Sequence, residues 1–471
     1  MTLSLAPLLP DSLEWLDGVP RVTAQRGWLT AIAFVNAGSA WSQQRLLDLQ
    51  ALRARHPQCL RVLVVHVPRF DHERAPARVR AQFEREGVRL PVAVDRDWVA
   101  WQHYGIAAWP TIVLVDGEGR EQARLVGDEP ITPLDAKVQA YEAELLPDID
   151  PEPEPDVRAQ APATPLRYPV GLAVAPQRLY VADSGHHRVL ECAHDGRILR
   201  QFGSGAPAFV DGSAEQAAFC RPHGLCLLRD VLYVADTGNH AIRRINLRSG
   251  EVDTLCGNGK VGRPQEGPVE DPRMRKLDSP RALAVLQDQL FIAMAGDNRI
   301  WSLGLGRHEL ACRAGSGELT VRDGSGAMAA FAQPVALAGV QQTLYVCDAA
   351  GSAIRALHLR DNTVQTLVGQ GPWQFGDADG PRQAALLQEP QAIALDPDAP
   401  VLWIADCGNQ RLRSLRLGGG ELATPPLSRP LQGPAGLAAG NGVLWIADTE
   451  GHAVLCLDTG TGELREVPVG E

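Results

Sequence analysis

Cysteine is the first residue type to test for chemistry, because its thiolate is both a nucleophile and a metal ligand. The chain of 471 residues contains nine cysteines, scattered from Cys59 to Cys456 and without a Cys-x-x-Cys pair. An odd, scattered set indicates neither a disulfide framework nor a zinc knuckle. We therefore predict free and mostly buried thiols, no metal site and no cofactor.

Aspartate recurs at one place in a repeated Leu-Tyr-Val-Ala-Asp pattern, and a ring of carboxylates could hold a metal ion. The pattern ends in Asp183, Asp236, Asp348, Asp406 and Asp448, and in Met294 in its third copy. Asp236 precedes Thr-Gly-Asn, which is a turn sequence. Aspartate in such a position accepts backbone N–H groups where the chain reverses. We therefore interpret these carboxylates as structural.

Six copies of this repeat define the elements that position the aspartates. Each copy follows a short apolar strand that begins at a proline, and these prolines are 44 to 58 residues apart, at Pro169, Pro222, Pro280, Pro334, Pro390 and Pro434. Each unit supplies four short strands, and a four-stranded unit repeated at this period is typical of a propeller blade. The sequence predicts an all-β, six-bladed propeller over residues 166–471.

The pattern L-Y-V-A-D-x-G-N-H-x-I resembles the NHL repeat, and the resemblance covers residues 166–471. In NHL-like lyases three histidines from the blades hold an axial zinc ion, so the resemblance directs attention to the axis. We expect the residues on either side of each blade-leading proline to rim the axial channel. These pairs are Tyr168 and Val170, Arg221 and His223, Ser279 and Arg281, Gln333 and Val335, Glu389 and Gln391, and Gly433 and Ala435.

The predicted rim contains one histidine, whereas catalytic zinc sites usually have three protein ligands. Zinc catalysis is therefore disfavoured. The polar members could instead bind a small polar or acidic ligand, although solvated residues at a channel mouth have the same sequence appearance. The candidate axial residues are Arg221, His223, Arg281, Glu389 and Gln391. Four further histidines lie in turns and are predicted to be on the surface: His186, His187, His240 and His452.

Residues 1–146 alternate strand-like and helix-like segments, and a hairpin is entered through Trp109, Pro110 and Thr111. A parallel core followed by such a hairpin resembles the α/β thioredoxin fold. The resemblance implies a cis Pro110 facing a redox motif at the turn between the first core strand and its helix. Alignment of that helix places Ser39 and Ser42 where the two cysteines would lie.

Serine cannot carry a thiol-disulfide cycle, because its hydroxyl is hardly ionised at neutral pH and forms no disulfide. A nucleophilic Ser39 would need a neighbouring base. We interpret Ser39 as the N-cap of the following helix. The one cysteine of this region, Cys59, opens the next strand, where burial would keep it inert.

A segment with six prolines and five acidic residues, 147–165, separates the two regions and reads as an extended linker. The order of thioredoxin-like domain, linker and NHL propeller resembles the NHL-repeat-containing protein 2 family. In that family the thioredoxin-like domain carries a Cys-x-x-Cys motif at the turn between strand and helix. This sequence has Ser39 and Ser42 at those positions. We expect no further domain after the sixth blade.

Charge and hydropathy exclude several classes of function. The net charge is −11, so no cationic excess is available for nucleic acid or an anionic membrane. No apolar run approaches the roughly 20 residues of a membrane span, and the N-terminus lacks the order of a signal peptide. We therefore predict a cytoplasmic protein.

The predicted function is that of a non-catalytic binding or scaffold protein with a redox-inactive thioredoxin-like domain. We expect a protein partner and allow for a small anionic ligand, without nucleic acid or membrane. The alternatives are a thiol-disulfide oxidoreductase-related protein and a metal-free hydrolase or lyase with its site on the propeller axis.

Overall fold

The computed structural model describes residues 4–144, 164–268, 271–307, 309–440 and 442–470. Internal contacts divide the chain into two units, Met1–Ala161 and Pro162–Glu471. Most of the predicted linker, residues 147–165, lies outside the described residues.

The N-terminal unit is a six-stranded mixed sheet with helices. In chain order its elements are β1 (Glu14–Trp15), β2 (Leu29–Val35), α1 (Ala40–Arg55), β3 (Leu60–His66), α2 (Pro76–Arg85), β4 (Val92–Val94), α3 (Val99–His103), β5 (Thr111–Val115), β6 (Glu121–Val126) and α4 (Thr132–Glu144). The strand order is β1-β4-β3-β2-β5-β6. β2, β3 and β4 are parallel, whereas β5 and β6 form an antiparallel hairpin beside β2.

This sheet is buried on both faces, which explains the largely apolar sequences of its central strands. Every residue of β2 and β3 is buried, and two apolar clusters lie on opposite faces of the sheet. The parallel core, the hairpin and the intervening helices predicted from the sequence are confirmed.

The C-terminal unit consists of six antiparallel sheets, each made from consecutive strands. Blade 1 contains β7 (Pro169–Ala175), β8 (Arg178–Asp183), β9 (Arg188–Cys192) and β10 (Ile198–Phe202). Blade 2 contains β11 (Pro222–Leu228), β12 (Val231–Asp236), β13 (Ala241–Asn246) and β14 (Val252–Cys256). Blade 3 contains β15 (Gly267–Pro268), β16 (Pro280–Leu286), β17 (Gln289–Met294), β18 (Arg299–Gly304) and β19 (Glu309–Ala314).

The remaining blades repeat this plan. Blade 4 contains β20 (Gly324–Ser325), β21 (Pro334–Val340), β22 (Thr343–Asp348), β23 (Ala353–His358) and β24 (Thr363–Val368). Blade 5 contains β25 (Ala392–Leu395), β26 (Val401–Asp406), β27 (Arg411–Arg416) and β28 (Leu422–Ala423). Blade 6 contains β29 (Pro434–Gly440), β30 (Val443–Asp448), β31 (Ala453–Asp458) and β32 (Leu464–Val467). The short β15 and β20 add a fifth strand at the outer edges of blades 3 and 4. The prediction of a six-bladed propeller is confirmed.

No single core organises the propeller. Six apolar clusters lie between successive blades, and each draws residues from both neighbours, including one cluster shared by blades 1 and 6. A blade therefore buries its two faces on its neighbours, as repeat architectures require.

The junction of blades 1 and 6 joins the two ends of the propeller without a covalent connection. The Thr449 hydroxyl donates to the Pro169 carbonyl over 2.7 Å. The Ile198 N–H donates to the Gly470 carbonyl over 2.8 Å, so the end of the described chain runs along β10. No helix among the described residues is long and apolar enough to cross a membrane.

Candidate functional site at the propeller axis

Each blade enters the axis through the same backbone turn. The residue before each blade-leading proline is in the left-handed region, with φ of 49° at Tyr168, 50° at Arg221, 51° at Ser279, 59° at Gln333, 48° at Glu389 and 60° at Gly433. Five of these six residues carry side chains that rarely adopt this conformation. The surrounding contacts must therefore hold the turn in place.

An inter-blade hydrogen bond supplies one of these contacts. The N–H of the residue before the proline donates to a side chain of the preceding blade at five junctions. The pairs are Arg221 with His187 Nδ1, Ser279 with His240 Nδ1, Gln333 with Asn298 Oδ1, Glu389 with Ser352 Oγ, and Tyr168 with His452 Nδ1, at 3.0 to 3.3 Å. We call these bonds the blade latches.

The latches correct the prediction for His240, which is 7% exposed and not on the surface. His186, His187 and His452 are half-buried. Burial, reinforced by the charge of Arg221, lowers the pKa of His240 to about 4. Burial likewise lowers the pKa of His187 to about 4, again with Arg221 as the leading charge. The sequence did not show these roles, because an imidazole in a turn has no pattern that identifies its partner.

The residues after the prolines line a cavity on the axis in three layers. The outer layer consists of Val170, His223, Arg281, Val335, Gln391 and Ala435. The second layer contains only glycine and alanine, and the third is a ring of Leu172, Leu225, Leu283, Leu337, Ile393 and Leu437. A Cβ on Gly171, Gly224 or Gly436 would overlap a carbonyl of the neighbouring blade, so the small layer allows the inner strands to approach closely.

The polar side chains of the outer layer come from blades 2, 3 and 5. Arg281 Nη1 lies 2.7 Å from His223 Nε2. A guanidinium only donates, so Nε2 accepts and the proton of the neutral ring is on Nδ1. On the other side, Gln391 Nε2 donates to Glu389 Oε1 over 3.2 Å, and both His223 and Glu389 are buried.

The five predicted axial residues do not form one set. His223, Arg281 and Gln391 line the cavity, and Glu389 contacts it through Gln391. Arg221 is not among the lining residues, and its charge instead lies close enough to His187 and His240 to lower the pKa of both. Among the described lining residues one imidazole is available, and a zinc site like that of the lyases needs three.

Each of the five repeated aspartates links two segments of its own blade, and all five are fully buried. Each accepts a backbone N–H from the residue two positions before its own blade's leading proline, as in Cys220 to Asp236 over 2.8 Å. The other four bonds, at 2.5 to 2.8 Å, join Arg167 to Asp183, Ala332 to Asp348, Gln388 to Asp406 and Gln432 to Asp448. The carboxylate thus ties the second strand to the segment that leads into the first. The backbone of the following turn does not donate to Asp183, Asp236 or Asp448, which corrects the expectation from the sequence that the carboxylate caps its own turn.

A buried arginine accompanies three of these aspartates. The pairs, at 2.9 to 3.3 Å, are Arg243 with Asp236, Arg355 with Asp348 and Arg413 with Asp406. Burial raises the pKa of Asp236 to about 6, and the Arg243 charge opposes that rise. Arg243 also lies over the rings of Phe209 and Phe219.

The predicted redox positions of the N-terminal unit have structural contacts. Ser39 is the N-cap of α1 and its hydroxyl accepts the Ser42 N–H over 3.3 Å. Ser42 is fully buried, and its hydroxyl accepts the Asn36 N–H over 3.3 Å. Pro110 follows a cis peptide bond from Trp109, and Thr111 begins β5.

Two groups near this turn were not found from the sequence. Buried Glu73 accepts bonds from the Asn36 side chain and from the backbone of Arg69 and Phe70, at 2.6 to 3.0 Å. Three half-buried indoles, Trp98, Trp101 and Trp109, have ring centroids 5.0 to 5.4 Å apart. Their separation in the sequence gives no signal of this cluster.

All nine cysteines lie among the described residues, and all are free. Burial raises the pKa of the thiols of Cys192 and Cys256 to about 12. At neutral pH these two are therefore protonated and unreactive.

Comparison with known proteins agrees with the fold. The family model of the NHL repeat matches residues 166–192 and 219–245, which lie in blades 1 and 2. Together with the six sheets, these matches define the class: the chain contains NHL repeats and a six-bladed β-propeller.

Within that class the chain is homologous to NHL repeat-containing protein 2, as the sequence resemblance indicated. It is 29% identical over 455 residues to the protein of Bos taurus, which covers 87% of this chain and 62% of the relative. It is 30% identical over 440 residues to Protein SUPPRESSOR OF QUENCHING 1, chloroplastic, of Arabidopsis thaliana, covering 88% of this chain and 42% of that protein. The chain thus spans less than two thirds of either relative, and with a chloroplastic relative the cytoplasmic location stays a prediction.

Solved structures with a similar arrangement include a streptogramin B lyase. The likeness has a TM-score of 0.43 and 13% identity, and covers 66% of this chain and 86% of that one. A nidogen/laminin complex gives a TM-score of 0.42 and 15% identity, and the match covers 63% of this chain and 91% of that one.

Proposed function

We propose that this chain is a non-catalytic binding protein whose axial cavity receives a carboxylate group of a protein partner. The observation that carries the proposal is the pairing of Arg281 with His223 at the outer layer of that cavity. A guanidinium presents planar donors that match a carboxylate.

The size of the cavity favours part of a larger partner over a whole metabolite. Its volume is about 80 Å³, whereas sites for small molecules are typically about 300–1,000 Å³. Below the polar layer the cavity is lined by the leucine and isoleucine ring. An acidic side chain or a C-terminal carboxylate, followed by contacts on the propeller surface, fits this space.

The local charge of the cavity also favours a carboxylate group of the partner. Glu389 is the acidic member of the predicted rim, and its Oε1 accepts a hydrogen bond from Gln391 Nε2. Arg281 therefore supplies positive charge within the cavity despite the net charge of −11. Close contact depends on this local field more than on the charge of the whole chain.

We propose further that the N-terminal unit is a redox-inactive thioredoxin-like domain that serves as a second docking surface. The parallel core and hairpin support the fold, and the half-buried indoles of Trp98, Trp101 and Trp109 support the docking role, because tryptophan is enriched at binding sites. The proposed boundaries are 1–146 for this domain, 147–165 for the linker and 166–471 for the propeller.

Redox inactivity is tested by insulin reduction with dithiothreitol supplied. We expect turnover equal to the no-protein control, because Ser39 and Ser42 cap and brace α1 and cannot form a disulfide. A double variant with both serines changed to cysteine measures whether the scaffold could support the reaction. Turnover by the unaltered chain would contradict the proposal.

The axial site is tested with Arg281→Gln. Partners are captured from native extract with the unaltered chain and with the variant, and affinity is then measured by calorimetry with peptides of the captured partner. We expect the variant to bind at least tenfold more weakly, because a charge-assisted hydrogen bond contributes about 1.5–3 kcal/mol.

Arg244→Gln is the matched control, since Arg244 is an exposed arginine paired with Asp253 in blade 2. It should bind like the unaltered chain. Equal loss in both variants would indicate general charge attraction, and no loss with Arg281→Gln would remove the axial site. Equal binding by a peptide with its carboxylates amidated would contradict recognition of a carboxylate.

A further inference from the structure

Three side chains with metal-binding donors meet at one end of the N-terminal sheet. His56 is the C-cap of α1, and Cys59 directly precedes β3. The Cys59 and Leu60 N–H groups both lie close to the His56 carbonyl, at 3.4 and 3.0 Å. This tight turn places the imidazole and the thiol on the same side of the chain.

Helix α4 supplies the carboxylates. Asp135 and Glu142 are seven residues apart, which is two helical turns, so they lie on one face of α4. Glu142 Oε2 lies 2.7 Å from His56 Nδ1, and Asp135 Oδ1 lies 3.5 Å from His56 Nε2. The two carboxylates therefore contact opposite edges of the same imidazole ring.

The donor atoms of His56, Cys59 and Glu142 lie within 4.8 Å of one another. Cys59 is fully buried, the His56 side chain is 9% exposed and the Glu142 side chain is 43% exposed. His56 Nε2 is a buried nitrogen to which the described part of the chain offers no hydrogen bond. A nitrogen, a sulfur and an oxygen donor thus converge at a place that opens to solvent on one side.

We propose that His56 Nδ1, Cys59 Sγ and the Glu142 carboxylate bind a zinc ion, with water at the fourth position. Imidazole, thiolate and carboxylate are the ligands that zinc takes in proteins. The thiolate and the carboxylate together carry two negative charges, which balance the ion.

Asp135 is placed to orient the imidazole ring of His56. When Nδ1 binds the metal, Nε2 carries the proton and faces the Asp135 carboxylate. A carboxylate that accepts the second N–H of a ligating histidine is the usual support of such a site. A bond from the protonated Nε2 to this carboxylate would also satisfy the buried nitrogen.

Zinc binding requires a rearrangement at Glu142. Two ligands of a tetrahedral zinc ion, each at about 2.0 Å, are about 3.3 Å apart, so the Glu142 carboxylate must withdraw slightly from His56. The exposed position of Glu142 allows this movement. Burial, with a contribution from Glu142, raises the pKa of Cys59 to about 11, so binding releases the thiol proton and the affinity rises with pH.

The test uses the full chain, stripped with a chelator and titrated with Co²⁺ and then with Zn²⁺. We expect one equivalent of Co²⁺ to produce a sulfur-to-cobalt charge-transfer band that Zn²⁺ abolishes. Cys59→Ser should remove the band. Glu142→Gln and Asp135→Asn should each weaken binding by about 10 to 100-fold, and Glu142→Gln lies at the surface, so it should leave the circular dichroism spectrum unchanged.

Two variants serve as controls. Cys312→Ser alters a partly exposed propeller thiol, and Glu144→Gln alters an exposed carboxylate of α4 two residues from the proposed ligand. Both should bind Co²⁺ like the unaltered chain. A band that persists in Cys59→Ser, a titration without any band, or an affinity unaffected by Glu142→Gln would overturn the proposal.

Discussion

A buried ion pair and an apolar pair occupy the same positions in neighbouring blades. Asp236 and Arg243 form the pair in blade 2, whereas Met294 and Trp301 occupy the equivalent positions in blade 3 and are both buried. The Trp301 indole donates to Asp297 over 2.8 Å. Both members differ together because a buried charge is costly without its partner, while an apolar pair of similar volume is tolerated.

This reasoning predicts the effect of Asp236→Ala. The change removes the acceptor of the Cys220 N–H and leaves Arg243 with Asp211 as its remaining acidic partner. We expect a loss of about 3–5 kcal/mol in the free energy of unfolding, measured by urea denaturation. Asp253→Ala, which breaks the exposed pair with Arg244, should cost less than about 1 kcal/mol. Similar losses in the two variants would show that burial does not set the cost.

At the scale of the element, the turn into each inner strand depends on the blade before it. His240 in blade 2 and Asn298 in blade 3 accept equivalent N–H groups, although only the histidine can be protonated. Protonation of Nδ1 would remove the acceptor. The pKa of His240, about 4 against an ordinary value of 6.5, shows that the folded chain favours the neutral ring.

His240→Asn is predicted to keep the latch and remove its sensitivity to acid. Between pH 6.5 and 4 the unfolded chain binds a proton at His240 that the folded chain does not, so the stability that His240 supplies is complete above pH 6.5 and declines as the pH falls towards 4. The unaltered chain should lose up to about 3 kcal/mol relative to the variant over this range.

The measurement is the difference in the free energy of unfolding between the two chains at several pH values. A difference is needed because the raised pKa of Asp236 and Asp406, about 6 in both, acts in the opposite direction and stabilises the folded chain as the pH falls. His240→Ala should destabilise at every pH. A difference that does not vary with pH would show that His240 does not control acid sensitivity.

At the scale of the whole propeller, stability depends on the junction where the ends of the ring meet. Thr449 donates to Pro169 across that junction over 2.7 Å, and Thr237 donates to Pro280 between blades 2 and 3 over 2.6 Å. The two bonds are equivalent, but the second junction is also crossed by the chain. Comparing the two bonds therefore measures how much ring closure contributes to the stability of the propeller.

We predict that Thr449→Val lowers the thermal midpoint at least as much as Thr237→Val, since each removes a buried hydrogen bond that contributes about 1 kcal/mol. Calorimetry gives the midpoints. Hydrogen exchange should show faster opening in all six blades of Thr449→Val if the ring unfolds as one unit. Faster exchange confined to blades 1 and 6 would contradict cooperative closure.

Much of this architecture was predictable because it rests on local patterns. The spacing of the blade-leading prolines indicated six four-stranded units, and the alternation of strand-like and helix-like segments indicated a parallel core followed by a hairpin. For the candidate site, the sequence predicted only that the residues next to those prolines would lie at the axis. The separation of Arg221 from His223 and Arg281 was not predictable, because it depends on which groups of the neighbouring blades surround each side chain.

The sequence by itself determined the repeat, the number of blades and the serines at the predicted redox turn, because periodicity and residue type are local properties. Tertiary structure decided which groups meet: the pairing of Arg281 with His223, the blade latches and the cluster of His56, Cys59 and Glu142. These contacts join residues up to 86 positions apart in one unit, and up to 284 apart across the ring closure in the other. Such distances close only when sheets pack, so no periodicity in the chain records them.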